Sequence, residues 1–208
     1  MPSAAPTSTS LRWAAEHAAE LGVDPGRLAI MGDSAGGGMA AAVALMARDR
    51  GGPALASQIL VFPMLEDPTT TPGPEIAPVA MWTTDDNITG WGCVLGPAAG
   101  GPDVPSYAAP SRSTDLSGLP PAFIDVGQLA LFRDEDLDYA ARLQRVELQL
   151  YPGIPRAFEV FAPDAVVSGR AVAARRRALR PTYRSGVSTP RARTRTSVPA
   201  GDSESNSP

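Results

Sequence analysis

Short apolar runs alternate with amphipathic segments along most of this chain. Four runs have the length and composition of buried strands: residues 27–32, 57–63, 122–126 and 146–151. Around them, apolar residues recur at helical spacing. This spacing predicts helices over residues 9–21, 36–50, 85–94, 134–143 and 164–179. Strands that alternate with helices predict an α/β fold with a mainly parallel sheet flanked by helices.

Two segments depart from this alternation. Residues 64–121 are rich in Pro, Gly, Thr and Asp, apart from the short helix predicted within them. We interpret them as a long excursion over the sheet, where the walls of binding sites are commonly built. Residues 181–208 contain few apolar side chains, so burial cannot offset the entropy of ordering them. The pattern therefore predicts one domain over residues 1–180, followed by a disordered tail.

Composition narrows the functional classes. A chain of 208 residues with 43% hydrophobic residues can bury a core, and its net charge of −4 gives no reason to expect a nucleic acid partner. The single cysteine excludes an internal disulfide framework. No apolar run reaches the length of about 18 residues that a membrane span needs, and residues 1–10 do not resemble a signal peptide. We expect a soluble cytoplasmic protein.

The motif Gly32-Asp33-Ser34-Ala35-Gly36 lies between a predicted strand and a predicted helix. A serine in this context forms a nucleophile elbow, a strained turn in which side chains at the flanking glycine positions would clash. The helix N-terminus then directs its positive dipole at an oxyanion that forms beside Ser34. The pattern predicts a serine hydrolase with Ser34 as its nucleophile.

The sequence offers no histidine at a suitable place to act as the general base for Ser34. A serine hydroxyl is a weak nucleophile until a neighbouring group takes its proton. The only histidine is His17, which precedes the elbow and falls within a predicted helix. We interpret His17 as a structural helix residue.

Six segments carry a resemblance to a known family: residues 13–17, 21–27, 32–38, 115–121, 132–135 and 151–153. In sequence and order they resemble the hormone-sensitive-lipase-like esterases of the α/β-hydrolase superfamily. The resemblance implies hydrolysis of small carboxylic esters without a metal or cofactor. It implies that Ser34 is the nucleophile and that the backbone amide of Ala35 donates to the oxyanion.

The chain departs from this family at three places. Ala130 occupies the position of the catalytic acid, and Arg156 that of the catalytic histidine. The oxyanion loop that precedes the first helix in the family is absent, so we expect an N-terminally truncated, partial α/β-hydrolase fold. Arginine holds its proton at neutral pH and cannot act as the base. Little activity is therefore expected.

Other interpretations remain open. The chain could be a catalytically dead remnant, or a module that binds an apolar ligand against Met81, Trp82 and Trp91, although packing in the core also explains these side chains. The arginines of the tail could instead bind an acidic partner. The truncation also predicts that the strand before Ser34 lies at an open edge of a four-stranded sheet, through which copies of the chain could associate.

Overall fold

The computed structural model describes residues 4–68 and 73–183, and its centre is a four-stranded sheet. The strands are β1 (Ala29–Asp33), β2 (Ser57–Val61), β3 (Ala122–Gly127) and β4 (Val146–Tyr151). They lie in sequence order, and every neighbouring pair is parallel. The predicted α/β fold with a parallel sheet is confirmed.

Helices cover both faces of this sheet. They are α1 (Ala4–Glu16), α2 (Ala18–Leu21), α3 (Ala35–Asp49), α4 (Thr84–Leu95), α5 (Arg133–Arg142), α6 (Phe158–Phe161) and α7 (Val166–Tyr183). Leu45 of α3 and Tyr139 of α5 pack with Leu60 and Ile124 of the sheet on one face. Ala174 of α7 packs on the other face. Within the described residues, no helix is both long and apolar enough to cross a lipid bilayer.

The strand order leaves β1 at an edge of the sheet. Strands β2 and β3 are buried along their whole length, as the central strands of a parallel sheet must be. In β1 the exposure alternates, and Met31 is 52% exposed. Among the strands of the described residues, β1 has the predicted edge position, whereas self-association through it stays a prediction.

The bounds of several elements differ from those predicted. The expected helix over residues 9–21 starts earlier and is broken at His17, whose Nδ1 lies 2.9 Å from the carbonyl oxygen of Trp13. The predicted start of β1 is wrong, because Pro25–Arg27 form a 3-10 turn. Helix α6 was not predicted, since four residues are too short to show a helical period. Helix α7 extends past residue 180, and the rest of the predicted tail, residues 184–208, lies outside the described part of the chain.

The segment between β2 and β3 packs at the carboxyl edge of the sheet. Within it, α4 begins with a capping box, in which the Thr83 and Asp86 side chains bond to each other's backbone amides. Trp91 of α4 packs against Met64, which follows β2, and Phe132, which follows β3. The described part of this segment therefore packs beside the site where Ser34 lies.

Candidate active site

Ser34 occupies the turn between β1 and α3. Its backbone has φ 54° and ψ −121°, a conformation that L residues rarely adopt. Three backbone hydrogen bonds hold it there: the Ser34 amide donates to the carbonyl of Val61 at 2.9 Å, and the Ser34 carbonyl accepts from the amides of Gly38 at 3.1 Å and Met64 at 2.9 Å. The turn is therefore fixed by β2 and by the first turn of α3.

The glycines around this turn are not equally constrained. A Cβ atom on Gly32 would lie 2.1 Å from the carbonyl oxygen of Gly36, and one on Gly38 would lie 2.1 Å from that of Met64. A Cβ atom on Gly36 would meet nothing closer than the Asp33 carboxylate at 3.9 Å. The clash expected at both flanking glycines is thus correct for Gly32 and wrong for Gly36, because a Cβ at Gly36 would make only an ordinary van der Waals contact.

Arg156, on the segment that follows β4, reaches Ser34. Its Nη2 donates a hydrogen bond to the Ser34 Oγ. The Arg156 Cζ lies 5.3 Å from the ring centroid of Phe62 and 5.5 Å from those of Trp82 and Phe132. Such contacts between a guanidinium and aromatic faces are attractive. A half-buried cation therefore lies directly against the candidate nucleophile.

The path of the chain after β4 explains how Arg156 reaches this place. The Gly153 amide donates to the Gln128 Oε1 at 2.7 Å, and the Leu129 amide donates to the carbonyl of Ile154 at 2.9 Å. A Cβ atom on Gly127 would lie 2.3 Å from the Ile154 carbonyl oxygen. The absence of a side chain at Gly127 thus lets the segments after β3 and β4 meet at the carboxyl edge of the sheet.

Ala130 follows β3 in the same region. It is 1% exposed and belongs to an apolar cluster with Phe62 and Val126, against which Ala157 packs. The position where the resemblance implies a catalytic acid therefore holds a methyl group in apolar surroundings. Ala130 supplies no carboxylate that could orient a base.

Arg156 cannot serve as a proton acceptor for Ser34. Partial burial lowers the pKa of Arg156, while the negative charges of Asp33 and Glu159 oppose that shift. Among the described residues, no carboxylate forms an ion pair with Arg156, and its Nε has no hydrogen-bond partner. A guanidinium has no free lone pair to offer. The arrangement at Ser34 donates a hydrogen bond to the hydroxyl and does not take its proton.

A buried ionic cluster next to the site was missed in the sequence. Arg175 of α7 pairs with Asp125 of β3 at 2.6 Å between Nε and Oδ2, and its Nη1 pairs with Glu159 of α6. Burial raises the pKa of Asp125 to about 6, while the Arg175 guanidinium opposes the rise. The signal that could have revealed this cluster is an aspartate inside an otherwise apolar strand, since a buried charge needs a partner.

An apolar cavity of about 100 Å³ opens beside the residue that follows Ser34. Ala35, Met39, Met64, Trp91 and Val94 are among the residues that line it. For scale, an apolar cavity of about 150 Å³ takes up benzene. The space is suited to a short apolar group. Within residues 4–68 and 73–183, no group of three His, Cys, Asp or Glu side chains could hold a metal ion.

Comparison with known proteins agrees with this geometry. The family described as the alpha/beta hydrolase fold matches residues 5–160. The chain belongs to the α/β-hydrolase family. This α/β hydrolase is 38% identical to carboxylesterase NlhH of Mycobacterium tuberculosis over 182 residues, which cover 82% of the chain and 56% of NlhH. It is 35% identical to esterase LipI of the same organism, over 76% of the chain and 47% of LipI.

Solved structures of esterases are also similar to this α/β hydrolase. A structure described as a bacterial heroin esterase matches with a TM-score of 0.79 and 39% identity, over 86% of this chain and 58% of that one. Esterase LipW from Mycobacterium marinum matches with a TM-score of 0.74 and 31% identity, over 84% and 55%. The resemblance to the hormone-sensitive-lipase-like esterases is confirmed at the level of the family. The chain spans about half the length of the curated relatives it matches.

Proposed function

We propose that this chain carries the nucleophile position of a carboxylic ester hydrolase at Ser34, and that Ala130 and Arg156 leave it with little turnover. The support for the first part is the strained turn at Ser34 together with relatives that are carboxylesterases and esterases. Small-molecule esters are the corresponding substrates. The backbone amide of Ala35 is the proposed oxyanion donor, since it follows the nucleophile at the start of α3.

The hydrogen bond from Arg156 Nη2 to Ser34 Oγ is the observation that carries the second part. In a working triad the group at this place accepts the serine proton, and Arg156 can only donate. In a serine protease, loss of the serine or the histidine lowers turnover by about 10⁶-fold. Because triad members act as a unit, the alanine at position 130 adds little to a loss that Arg156 already causes.

The test is hydrolysis of p-nitrophenyl butyrate by the full chain beside the Ser34→Ala variant. We expect equal rates at the background level. A rate for the unmodified chain well above that of Ser34→Ala would show that Ser34 is activated by a base, and the proposal of low turnover would be wrong.

A restored triad provides the positive arm of the same test. The double variant Ala130→Asp with Arg156→His supplies an acid and a base at the two positions. We expect a rate gain of at least about 10²-fold over the unmodified chain for the double variant, a smaller gain for Arg156→His alone and none for Ala130→Asp alone. Adding Ser34→Ala to the double variant must remove the gain. A gain that survives Ser34→Ala would contradict the role of Ser34.

The cavity beside Ala35 supports a second function, the binding of an apolar ligand without chemistry. The cavity lies next to the nucleophile and its lining is mostly apolar, so it could take the acyl part of an ester whether or not the ester is cleaved. Trp91 is packed into the core here with 4% exposure, while Trp82 is half-buried against Arg156. Retention of p-nitrophenyl butyrate without hydrolysis would favour this function.

A further inference from the structure

The two most enclosed arginines near the site are paired differently. Arg175 has two carboxylate partners, Asp125 and Glu159. Arg156 is half-buried, yet its only hydrogen bond within residues 4–68 and 73–183 is the one to Ser34. The negative charges of Asp33 and Glu159 act on Arg156 from beyond ion-pair distance. A partly desolvated guanidinium without an anionic partner favours the binding of an anion.

The surroundings of Arg156 add further donors for such an anion. The Ser34 hydroxyl accepts from Arg156, so its own hydrogen remains free to donate. Helix α3 begins at Ala35, and its 15 residues direct a positive dipole toward the same place. The rings of Phe62, Trp82 and Phe132 hold the guanidinium in position. Hydrogen-bond donors therefore converge beside Ser34 from two elements.

The cavity indicates which chemical group is attached to the anion. Its lining begins at Ala35, the residue next to Ser34, and continues over Met64 and Trp91. Met64 and Trp91 belong to the apolar cluster that also contains Phe132, against which Trp82 packs. Buried apolar contacts thus connect the rings around Arg156 to the residues that line the cavity. A ligand with a charged head at Arg156 can place a short apolar chain there.

We propose that the site binds a small monocarboxylate with a short apolar chain, whose carboxylate contacts Arg156 and Ser34 and whose chain enters the cavity beside Ala35. This inference rests on the proposed function, because it uses the same serine site, but it concerns binding without turnover. A guanidinium matches the planar carboxylate with two parallel hydrogen bonds. The single cation suits a monoanion of low charge density better than a phosphate dianion.

The test is a titration of the full chain with butyrate. Binding is measured by calorimetry and by the change in tryptophan fluorescence. We expect saturable binding that weakens at least about tenfold in Arg156→Gln, since a hydrogen bond to a charged group is worth about 10- to 100-fold in affinity. The matched control is Arg145→Gln, which makes the same charge change at an exposed residue. Arg145 directly precedes β4, so it lies at the amino ends of the strands, away from Ser34. It should bind butyrate as the unmodified chain does.

Ligand analogues test the proposal without any mutation, so they decide the matter if Arg156→Gln fails to fold. Butyramide, which is neutral and of the same size, should bind at least about tenfold more weakly than butyrate. Inorganic phosphate should also bind more weakly, because it has no apolar chain. Equal binding of butyrate and butyramide, or of butyrate and phosphate, would overturn the proposal.

The outcomes separate this inference from the proposed function. Absence of saturable butyrate binding would overturn the inference and leave the inactive serine as proposed. Ester hydrolysis that depends on Ser34 in the unmodified chain would overturn the proposed low turnover, whatever the titration shows.

Discussion

The substitution Arg175→Met tests how the candidate site is held in place. Arg175 ties α7 to Asp125 at the carboxyl end of β3 and to Glu159 in α6, just after Arg156 in the chain. Its Cζ also lies 5.9 Å from the ring centroid of Phe62. Methionine keeps much of the side-chain volume and removes the charge. The change therefore leaves a buried carboxylate without its cation.

The expected magnitude follows from the burial of the pair. The Asp125 side chain is 1% exposed and that of Arg175 is 11% exposed. Removing one partner of a buried pair costs about 3–5 kcal/mol in the free energy of unfolding. The cost should be smaller at pH 5 than at pH 7.5, because Asp125, whose pKa is raised to about 6, takes up a proton at the lower pH. A loss of about 3–5 kcal/mol corresponds to roughly 6–20 °C in Tm for a domain of this size.

Urea and thermal unfolding followed by circular dichroism measure this loss at the two pH values. The matched control is Arg177→Met, which removes an arginine of the same helix whose partner is the exposed Glu147. Exposed ion pairs contribute about 0–1 kcal/mol, so this control should remain close to the unmodified chain. If Arg175→Met were no more destabilising than Arg177→Met, the buried cluster would not hold α6 and α7 as described.

Three further predictions concern the turn at Ser34, the backbone conformation of Ala157 and the titration of Glu135. Gly38→Ala should prevent the native fold, because its Cβ would lie 2.1 Å from the Met64 carbonyl oxygen, whereas Gly36→Ala should leave the Tm nearly unchanged. Ala157→Gly should raise stability by about 1 kcal/mol in urea unfolding, since Ala157 has φ 55°. Burial raises the pKa of Glu135 to about 8, so the folded state holds a proton that the unfolded state releases, and Tm should fall as pH rises from 5 to 8. Glu135→Gln should flatten that fall, and an unchanged slope would contradict the assignment.

The periodic parts of the chain were predictable from the sequence. The four strands, α3 and α5 follow from apolar runs and helical spacing, and the parallel order follows from their alternation. The break at His17 was not predictable, because helical periodicity continues on both sides of it. Short elements such as α6 carry too few residues for any period. The local spacing of apolar residues thus predicts the regular helices and strands, whereas breaks within them depend on tertiary contacts.

The candidate site was predictable only where local geometry defines it. The turn at Ser34 follows from glycine spacing, but the openness at Gly36 depends on how α3 leaves the turn. The sequence could indicate that Arg156 replaces a base, and it could not show that the guanidinium contacts Ser34. The partners of Asp125 lie in α6 and α7, far along the chain, so no spacing rule connects them.

The turn and the proton-transfer groups are maintained by different interactions, so one can persist without the other. The turn is fixed by backbone hydrogen bonds from Ser34 to Val61 and Met64, which also join β1, β2 and α3. Its loss would disturb the core. Ala130 and Arg156 lie after β3 and β4, where a buried methyl group and contacts with aromatic rings keep those segments packed without any catalytic group. The fold therefore keeps the strained turn at residue 34, whichever side chains stand at positions 130 and 156. Membership of the family therefore predicts the strained turn at Ser34. It does not predict the catalytic rate, which has to be measured.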